Sequence, residues 1–190
     1  MIYLVRHGQT DWNLEKKIQG HIDVPLNNNG KRQAELVSEA IKDLKINKIY
    51  SSDLVRAKET AAIINKKLNL KITLDNRLRE FNYGDLEGVV KTTFSEDIWD
   101  EFNSNPERIH AESSESVYNR IKEFFDELNI NDNILIVTHG GALRVIMYYF
   151  NNKDKFDKDL FNKEYCNMII ENGAIYEVDM SNRFINIIDI

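Results

Sequence analysis

The sequence predicts an α/β fold: a mainly parallel, doubly wound sheet in three α/β/α layers, with an antiparallel C-terminal hairpin at its edge. Three observations predict it. Short apolar runs alternate along the chain with segments whose apolar residues recur at helical spacing, the pattern of successive βαβ units. The run from Ile134 to Val137 carries no polar residue, as expected of a strand covered on both faces. Near the end, Asn172-Gly173 separates two β-prone stretches, a type I′ hairpin signal. A length of 190 residues fits one domain, 1–190, and 42% hydrophobic residues are enough for its core.

Residues 2–6 read as the first buried strand, and a turn-rich stretch runs from Gly8 to Gly30. In "NNNGKRQAELVSEAIKDL", Ala34, Val37, Ile41 and Leu44 keep helical spacing, with Asn27 to Asn29 offering an N-cap. "NKIYSS" reads as a strand. "SDLVRAKETAAIINKKL" is a helix with Ser52 or Asp53 as its cap and Leu54, Ala57, Ala61, Ile64 and Leu68 on its apolar face. "KITLD" is a third strand, followed by a loop with Gly84 and Gly88. Residues 89–112 are the least regular part, polar with scattered aromatics Phe94, Trp99 and Phe102. "SSESVYNRIKEFFDEL" is again helical, with Val117, Ile121, Phe124, Phe125 and Leu128 facing inward. "NILIVTH" is a strand and "GALRVIMYYF" starts the next helix. "CNMIIENGAIYEVDM" predicts two strands around the Asn-Gly turn, and "FINIIDI" a last one.

Composition narrows the function classes. A net charge of −6 without a basic stripe argues against nucleic acid and anionic membrane as partners. Cys166 is the only cysteine, so no intrachain disulfide forms, which fits a reducing compartment. No apolar run approaches the roughly 20 residues of a membrane span, and no leader-like segment opens the chain. The expectation is a soluble cytoplasmic protein. The oligomeric state is left open, a homodimer being one alternative.

The chemistry lies at strand ends. In open α/β sheets, ligands bind beyond the carboxyl ends of the strands. Arg6-His7-Gly8 and His139-Gly140-Gly141 both lie at such ends, and strands of this kind can sit side by side. The glycines allow tight turns and close backbone approach. Gly140 and Gly141 also begin a helix, whose N–H groups and dipole favour an anion. One His-Gly joint alone reads as a turn histidine satisfied by backbone; two of the same design, one with an adjacent arginine, point to a site. Metal binding lacks an HxxxH or HxH spacing, and Arg6 would repel a cation. Arg56 sits in the first turns of its helix, where the dipole disfavours a cation; an ion pair with Asp53 or Glu59 is the plain explanation. Glu80 follows a strand and precedes a glycine-containing loop, and alone would read as a surface carboxylate.

Taken together, "LVRHGQTDWN", "HIDVPLNNNG", "SSDLVRAKETA", "LREFNYGDLEG" and "VTHGGALR" resemble, in order and spacing, the motifs of the histidine phosphatase superfamily, also called the phosphoglycerate mutase-like family. The resemblance covers residues 2–144 and extends to the C-terminal hairpin. It implies that His7 is the nucleophile that becomes phosphohistidine. It implies that Arg6, Arg56 and His139 surround the phosphoryl group, and that Asn13 and the Gly140 backbone help hold its oxygens. Gly8 and Thr10 belong to the same motif. Glu80 is implied as proton donor, with Gln19, Gly20 and the loop around Tyr83 nearer the leaving group. Three positions depart from the pattern: Asn27 for Thr or Ser, Leu86 for Trp, and Ser114 for Gly. No metal and no other cofactor is implied.

These residue types suit phosphoryl transfer, which needs positioning and charge stabilisation above all. Two guanidiniums give planar, charge-assisted contacts to the oxygens. His7 must be neutral to attack, and neighbouring arginines depress a pKa that is ordinarily about 6.5. Its other nitrogen is expected to donate to a backbone carbonyl, fixing the tautomer. His139, when protonated, would stabilise the equatorial oxygens. The expected function is hydrolysis of a small phosphomonoester. The alternatives are a phosphoglycerate mutase and a phosphate-binding domain without turnover; the latter would be expected to lack His7 or Glu80. Residues 89–112 and the surroundings of Tyr83 are the expected substrate-selecting part, with Phe94, Trp99 and Phe102 lining it or merely packing beneath the surface.

Overall fold

The computed structural model describes residues 1–190 except 94, 130, 153–154, 180–183 and 189–190. The strands are β1 (Ile2–Arg6), β2 (Lys48–Ser51), β3 (Ile72–Leu74), β4 (Ile134–Thr138), β5 (Ile175–Asp179) and β6 (Phe184–Ile188). They form one sheet in the order β3-β2-β4-β1-β5-β6. β1, β2, β3 and β4 run parallel, and β5 and β6 are antiparallel to their neighbours. The helices are α1 (Asp11–Leu14), α2 (Asn28–Ala40), α3 (Val55–Leu68), α4 (Glu96–Ser104), α5 (Ser114–Asp126), α6 (Gly140–Asn151) and α7 (Lys158–Glu164). Among the described residues no helix is long and apolar enough to cross a membrane.

The layers follow from the period-2 alternation of strand side chains. β1 and β4 occupy the centre of the sheet, and Ile2 through Val5 and Ile134 through Val137 are all buried. Ile2, Leu4, Ile134 and Ile136 point to one side, where they pack with Val117, Ile121 and Phe124 of α5 and Leu143 and Ile146 of α6. Tyr3, Val5, Leu135 and Val137 point to the other, against Val37 of α2 and Ala57, Ala61 and Ile64 of α3. A central strand with two apolar faces therefore needs an unbroken apolar run, which is what "ILIV" supplies.

Three local expectations are corrected. First, the stretch before Asn172-Gly173 is not a strand. Gly173 has φ of +79°, but its N–H donates to the Arg6 carbonyl, and the Asn172 amide donates to the His7 carbonyl at 2.9 Å. The turn wraps the carboxyl end of β1 instead of closing a hairpin. The edge hairpin is β5–β6, one segment later. Second, neither Ser52 nor Asp53 is the N-cap residue of α3. The helix begins at Val55, whose N–H donates to the carboxylate of Asp23 at 2.5 Å, while Asp53 pairs with Arg79. Third, residues 89–112 contain a helix, α4. Phe94 lies outside the described residues.

The cap of α2 lies within the stretch the sequence offered, and α5 is capped locally by Ser113. Asn27 accepts from the Gly30 N–H and Ser113 from the Ser116 N–H. Gly8 and Gly30 meet backbone to backbone: a Cβ on Gly8 would lie 2.3 Å from the Gly30 carbonyl oxygen. Only hydrogen at this position lets the first turn after β1 pass under α2.

Candidate active site

Parallel strands place their carboxyl ends on one edge. His7 follows β1, Ser52 follows β2 and His139 follows β4, while Glu80 lies in the segment after β3. The register pairs Arg6 with Thr138, so the two histidines emerge at the same height. Their ring centroids are 5.1 Å apart, and both rings are buried.

The His7 Nδ1 lies 2.7 Å from the Gly8 carbonyl oxygen. A carbonyl only accepts, so Nδ1 carries the proton and Nε2 keeps its lone pair. Burial, then the charges of Arg56 and Arg6, hold the His7 pKa well below the ordinary value. His139 is fixed the other way. Arg56 Nε donates to its Nδ1 at 3.2 Å, so the ring proton sits on Nε2, which donates to Ser52 Oγ at 2.8 Å. Its pKa is also well below the ordinary value, through burial first and then Arg56 and His7. Burial and the nearby guanidiniums keep this ring neutral.

Arg56 is 1% exposed and has neither Asp53 nor Glu59 as partner. Its Nη1 donates to the Ile22 carbonyl at 3.0 Å and its Nη2 to the Gly20 carbonyl at 2.7 Å. Burial pushes its pKa down to about 10, which leaves it a cation at neutral pH. Arg6 donates through Nη1 to the Ile170 carbonyl, while its Nε is buried without a protein partner among the described residues. That guanidinium lies over Gly140, where a Cβ would stand 3.4 Å from Nε. The Gln19 side-chain oxygen is likewise buried and unpartnered. Each is a buried polar atom with a hydrogen bond left to make.

Thr10 and Asn13 form a capping box at α1: Thr10 Oγ1 accepts from the Asn13 N–H, and Asn13 Oδ1 accepts from the Thr10 N–H at 3.0 Å. Thr10 is thereby spent on local structure. Asn13 Oδ1 also accepts from Asn172 at 3.4 Å, so the Asn13 side chain presents its NH₂ group as the remaining donor. Glu80 occupies the N-terminus of α6. Its Oε2 accepts from the Gly141 N–H at 3.0 Å, and Oε1 from Ala142 at 3.1 Å and Phe81 at 3.0 Å. The acceptor at this helix end is therefore the Glu80 side chain.

Beyond Glu80 opens a cavity of about 480 Å³. Phe81, Tyr83, Trp99 and Phe102 form one wall, with the Tyr83 and Phe102 rings stacked at 5.2 Å. Lys91 and Arg144 bring cations to it, and burial raises the Tyr83 hydroxyl pKa and lowers that of Lys91. Among the described residues no cluster of three or more His, Cys, Asp and Glu side chains has metal-ligating geometry.

Sequence reasoning overlooked three polar groups here: Asn172, Ser52 as partner of His139, and Glu87. Asn172 had a signal, its Asn-Gly pair, but the signal was for a turn and not for the contact the turn makes.

Two arginines and a buried imidazole with a free lone pair stand together at the carboxyl edge of a mainly parallel sheet in an α/β protein. The family model of the histidine phosphatase superfamily (branch 1) matches residues 2–184, and the chain belongs to that superfamily. It is 41% identical over 155 residues to phosphoglycerate mutase-like protein 4 of Arabidopsis thaliana, covering 75% of this chain and 67% of the relative. It is 37% identical over 156 residues to the uncharacterized phosphatase PhoE of Bacillus subtilis (strain 168), covering 80% and 78%. YhfR of Bacillus stearothermophilus has the same fold, with a TM-score of 0.79, 28% identity, and coverage of 98% and 94%.

Proposed function

We propose that this protein is a metal-independent phosphatase that hydrolyses a small phosphomonoester through a phosphohistidine on His7. The observation that carries the reading is the His7 tautomer: Nδ1 is held by the Gly8 carbonyl, which leaves Nε2 as a nucleophile between two arginines. Arg6, Arg56 and the Asn13 amide hold the phosphoryl oxygens, with the Gly140 backbone below them. Nε2 attacks phosphorus as the P–O bond to the leaving group breaks. Glu80 gives its proton to the departing oxygen. A water then attacks phosphorus, Glu80 takes that water's proton, and the P–N bond breaks to release phosphate and restore His7. His139, neutral, positions Arg56 through its Nδ1 and is itself held by its Nε2–H bond to Ser52. Positive charge comes from guanidiniums, so no step calls on a metal.

Gln19, Gly20 and Tyr83 lie on the leaving-group side, and residues 89–112 supply the substrate-selecting wall. The aromatic wall and the cations Lys91 and Arg144 favour a leaving group with a flat or apolar body and an anionic substituent. The relatives' names support a second reading, a mutase that returns the phosphoryl group to a product. A panel of phosphomonoesters, run beside an isomerisation assay on 3-phosphoglycerate with 2,3-bisphosphoglycerate, separates the two. Release of phosphate in excess of isomerisation is expected; the reverse would make it a mutase. Turnover and an acid-labile phosphoenzyme should both vanish in His7→Ala, and EDTA should leave the rate unchanged. Persistence of the phosphoenzyme in that variant refutes the nucleophile assignment.

A further inference from the structure

Glu87 belongs to the "GDLEG" stretch and takes no part in the steps above. Its half-buried carboxylate binds three backbone donors: Oε1 accepts from His21 N–H at 2.8 Å and Tyr83 N–H at 3.1 Å, and Oε2 accepts from Ile22 N–H at 3.1 Å. It packs directly on Gly20, whose φ is +52° and where a Cβ would lie 1.9 Å from Oε1. Arg56 grips the same turn, through the Gly20 and Ile22 carbonyls. The Gly20 carbonyl and the His21 N–H belong to one peptide unit, and in a trans peptide they point in opposite directions. Glu87 and Arg56 therefore face each other across that peptide, anion on its N–H and cation on its carbonyl. Opposite charges at the two ends of a peptide dipole polarise it and strengthen both bonds.

We propose that Glu87 is a positioning residue, which orients the Arg56 guanidinium for phosphoryl binding through the Gly20–His21 peptide while tying the same turn to Tyr83. This rests on the reading of Arg56 as a phosphoryl ligand. Without Glu87 the His21 N–H loses its acceptor, the turn is held only by the Ile22 N–H to Gln19 carbonyl bond and by Arg56 itself, and the acceptors of the Arg56 fork are less firmly fixed. The placement also explains why position 20 is glycine: the carboxylate takes the space a side chain would fill.

The test is a double-mutant cycle on Glu87 and Arg56, read as kcat/KM for the best ester of the panel and as calorimetric affinity for inorganic phosphate. Glu87→Ala should lower kcat/KM roughly a hundredfold, the scale of a small misplacement of a catalytic group. It should also weaken phosphate binding. Glu87→Gln keeps the shape and one acceptor oxygen, and should fall between. In an Arg56→Ala background, either change should add little, because both act on one contact. Thermal unfolding checks that the variants fold; if the alanine variant does not, the Glu87→Gln cycle decides alone. Losses that multiply in the double variant, or wild-type constants for Glu87→Ala, overturn the proposal while leaving the functional reading intact. Wild-type protein that neither binds phosphate nor hydrolyses any ester overturns both.

Discussion

His7 and His139 are neighbouring imidazoles with opposite tautomers, each set by a partner that has no choice of role. The Gly8 carbonyl can only accept, and the Arg56 guanidinium can only donate. Both rings are buried with pKa values well below the ordinary 6.5 or so. The sign for stability follows. In the unfolded chain both histidines protonate as pH falls through about 6.5, while in the folded protein they stay neutral to lower pH. The unfolded state then binds more protons, so their stabilising effect is present above that value and lost as pH falls below it. Urea unfolding should show stability dropping by about 1.4 kcal/mol per pH unit for each histidine in that window. A flat profile between neutrality and pH about 5 would contradict the buried neutral assignment.

At this scale the sequence was legible where chemistry repeats: Arg6-His7-Gly8 and His139-Gly140 announced a site. Partners separated by long stretches of chain were not legible. Nothing in "SSDLVRA" says that Arg56 passes over Asp53 and Glu59 to bind the carbonyls of Gly20 and Ile22. Glu59 instead accepts from the Leu26 N–H at 2.8 Å, and Asp53 pairs with Arg79. Such choices depend on which loops the fold brings near, and residue type cannot report that.

Two helices owe their N-termini to side chains from elsewhere. α3 is capped by Asp23, and α6 by Glu80. The local capping pattern therefore marked α2 well and α3 poorly. α4 escaped detection for a related reason. In "EDIWDEFNS" only Ile98, Trp99 and Phe102 are apolar, too few for a full helical stripe, and two of them line a cavity. A helix whose apolar side lines a pocket has a weaker signature than one that packs on a sheet. Its contribution is testable at Phe102, which stacks on Tyr83. Phe102→Ala should lower kcat/KM for esters of aromatic alcohols relative to small aliphatic ones, by the roughly 2- to 10-fold that an aromatic pair of about 0.5–1.5 kcal/mol represents. Unchanged relative rates would place α4 outside substrate choice.

Across the whole molecule, the three layers were readable because β1 and β4 are central and their alternation feeds two cores. Ile136 is fully buried in one of them. Ile136→Ala should cost about 2–5 kcal/mol, from lost transfer energy and the cavity left behind. For a chain of this length that is a fall of about 2–4 °C in Tm per kcal/mol, readable by calorimetry. The sheet's hand-over from parallel to antiparallel was also readable, in "AIYEVDM" and "FINIIDI", but the role of the turn before them was not. Asn172-Gly173 has the composition of a hairpin turn, and the Arg6 and His7 carbonyls claimed its donors first.

The pairing of β1 with β4 carries one further consequence, for the order in which the protein is made. β1 leaves the ribosome first, yet its parallel neighbour arrives more than a hundred residues later, and its other neighbour, β5, later still. Until then the first strand has exposed edges on both sides and half a pocket at its tip. A nascent chain that ends before Ile134 carries His7, Arg6, Arg56 and Glu80 with nothing to align them. Assembly of the candidate site is thus a late event of synthesis, and an early stop yields a chain with most of its side chains and none of the geometry.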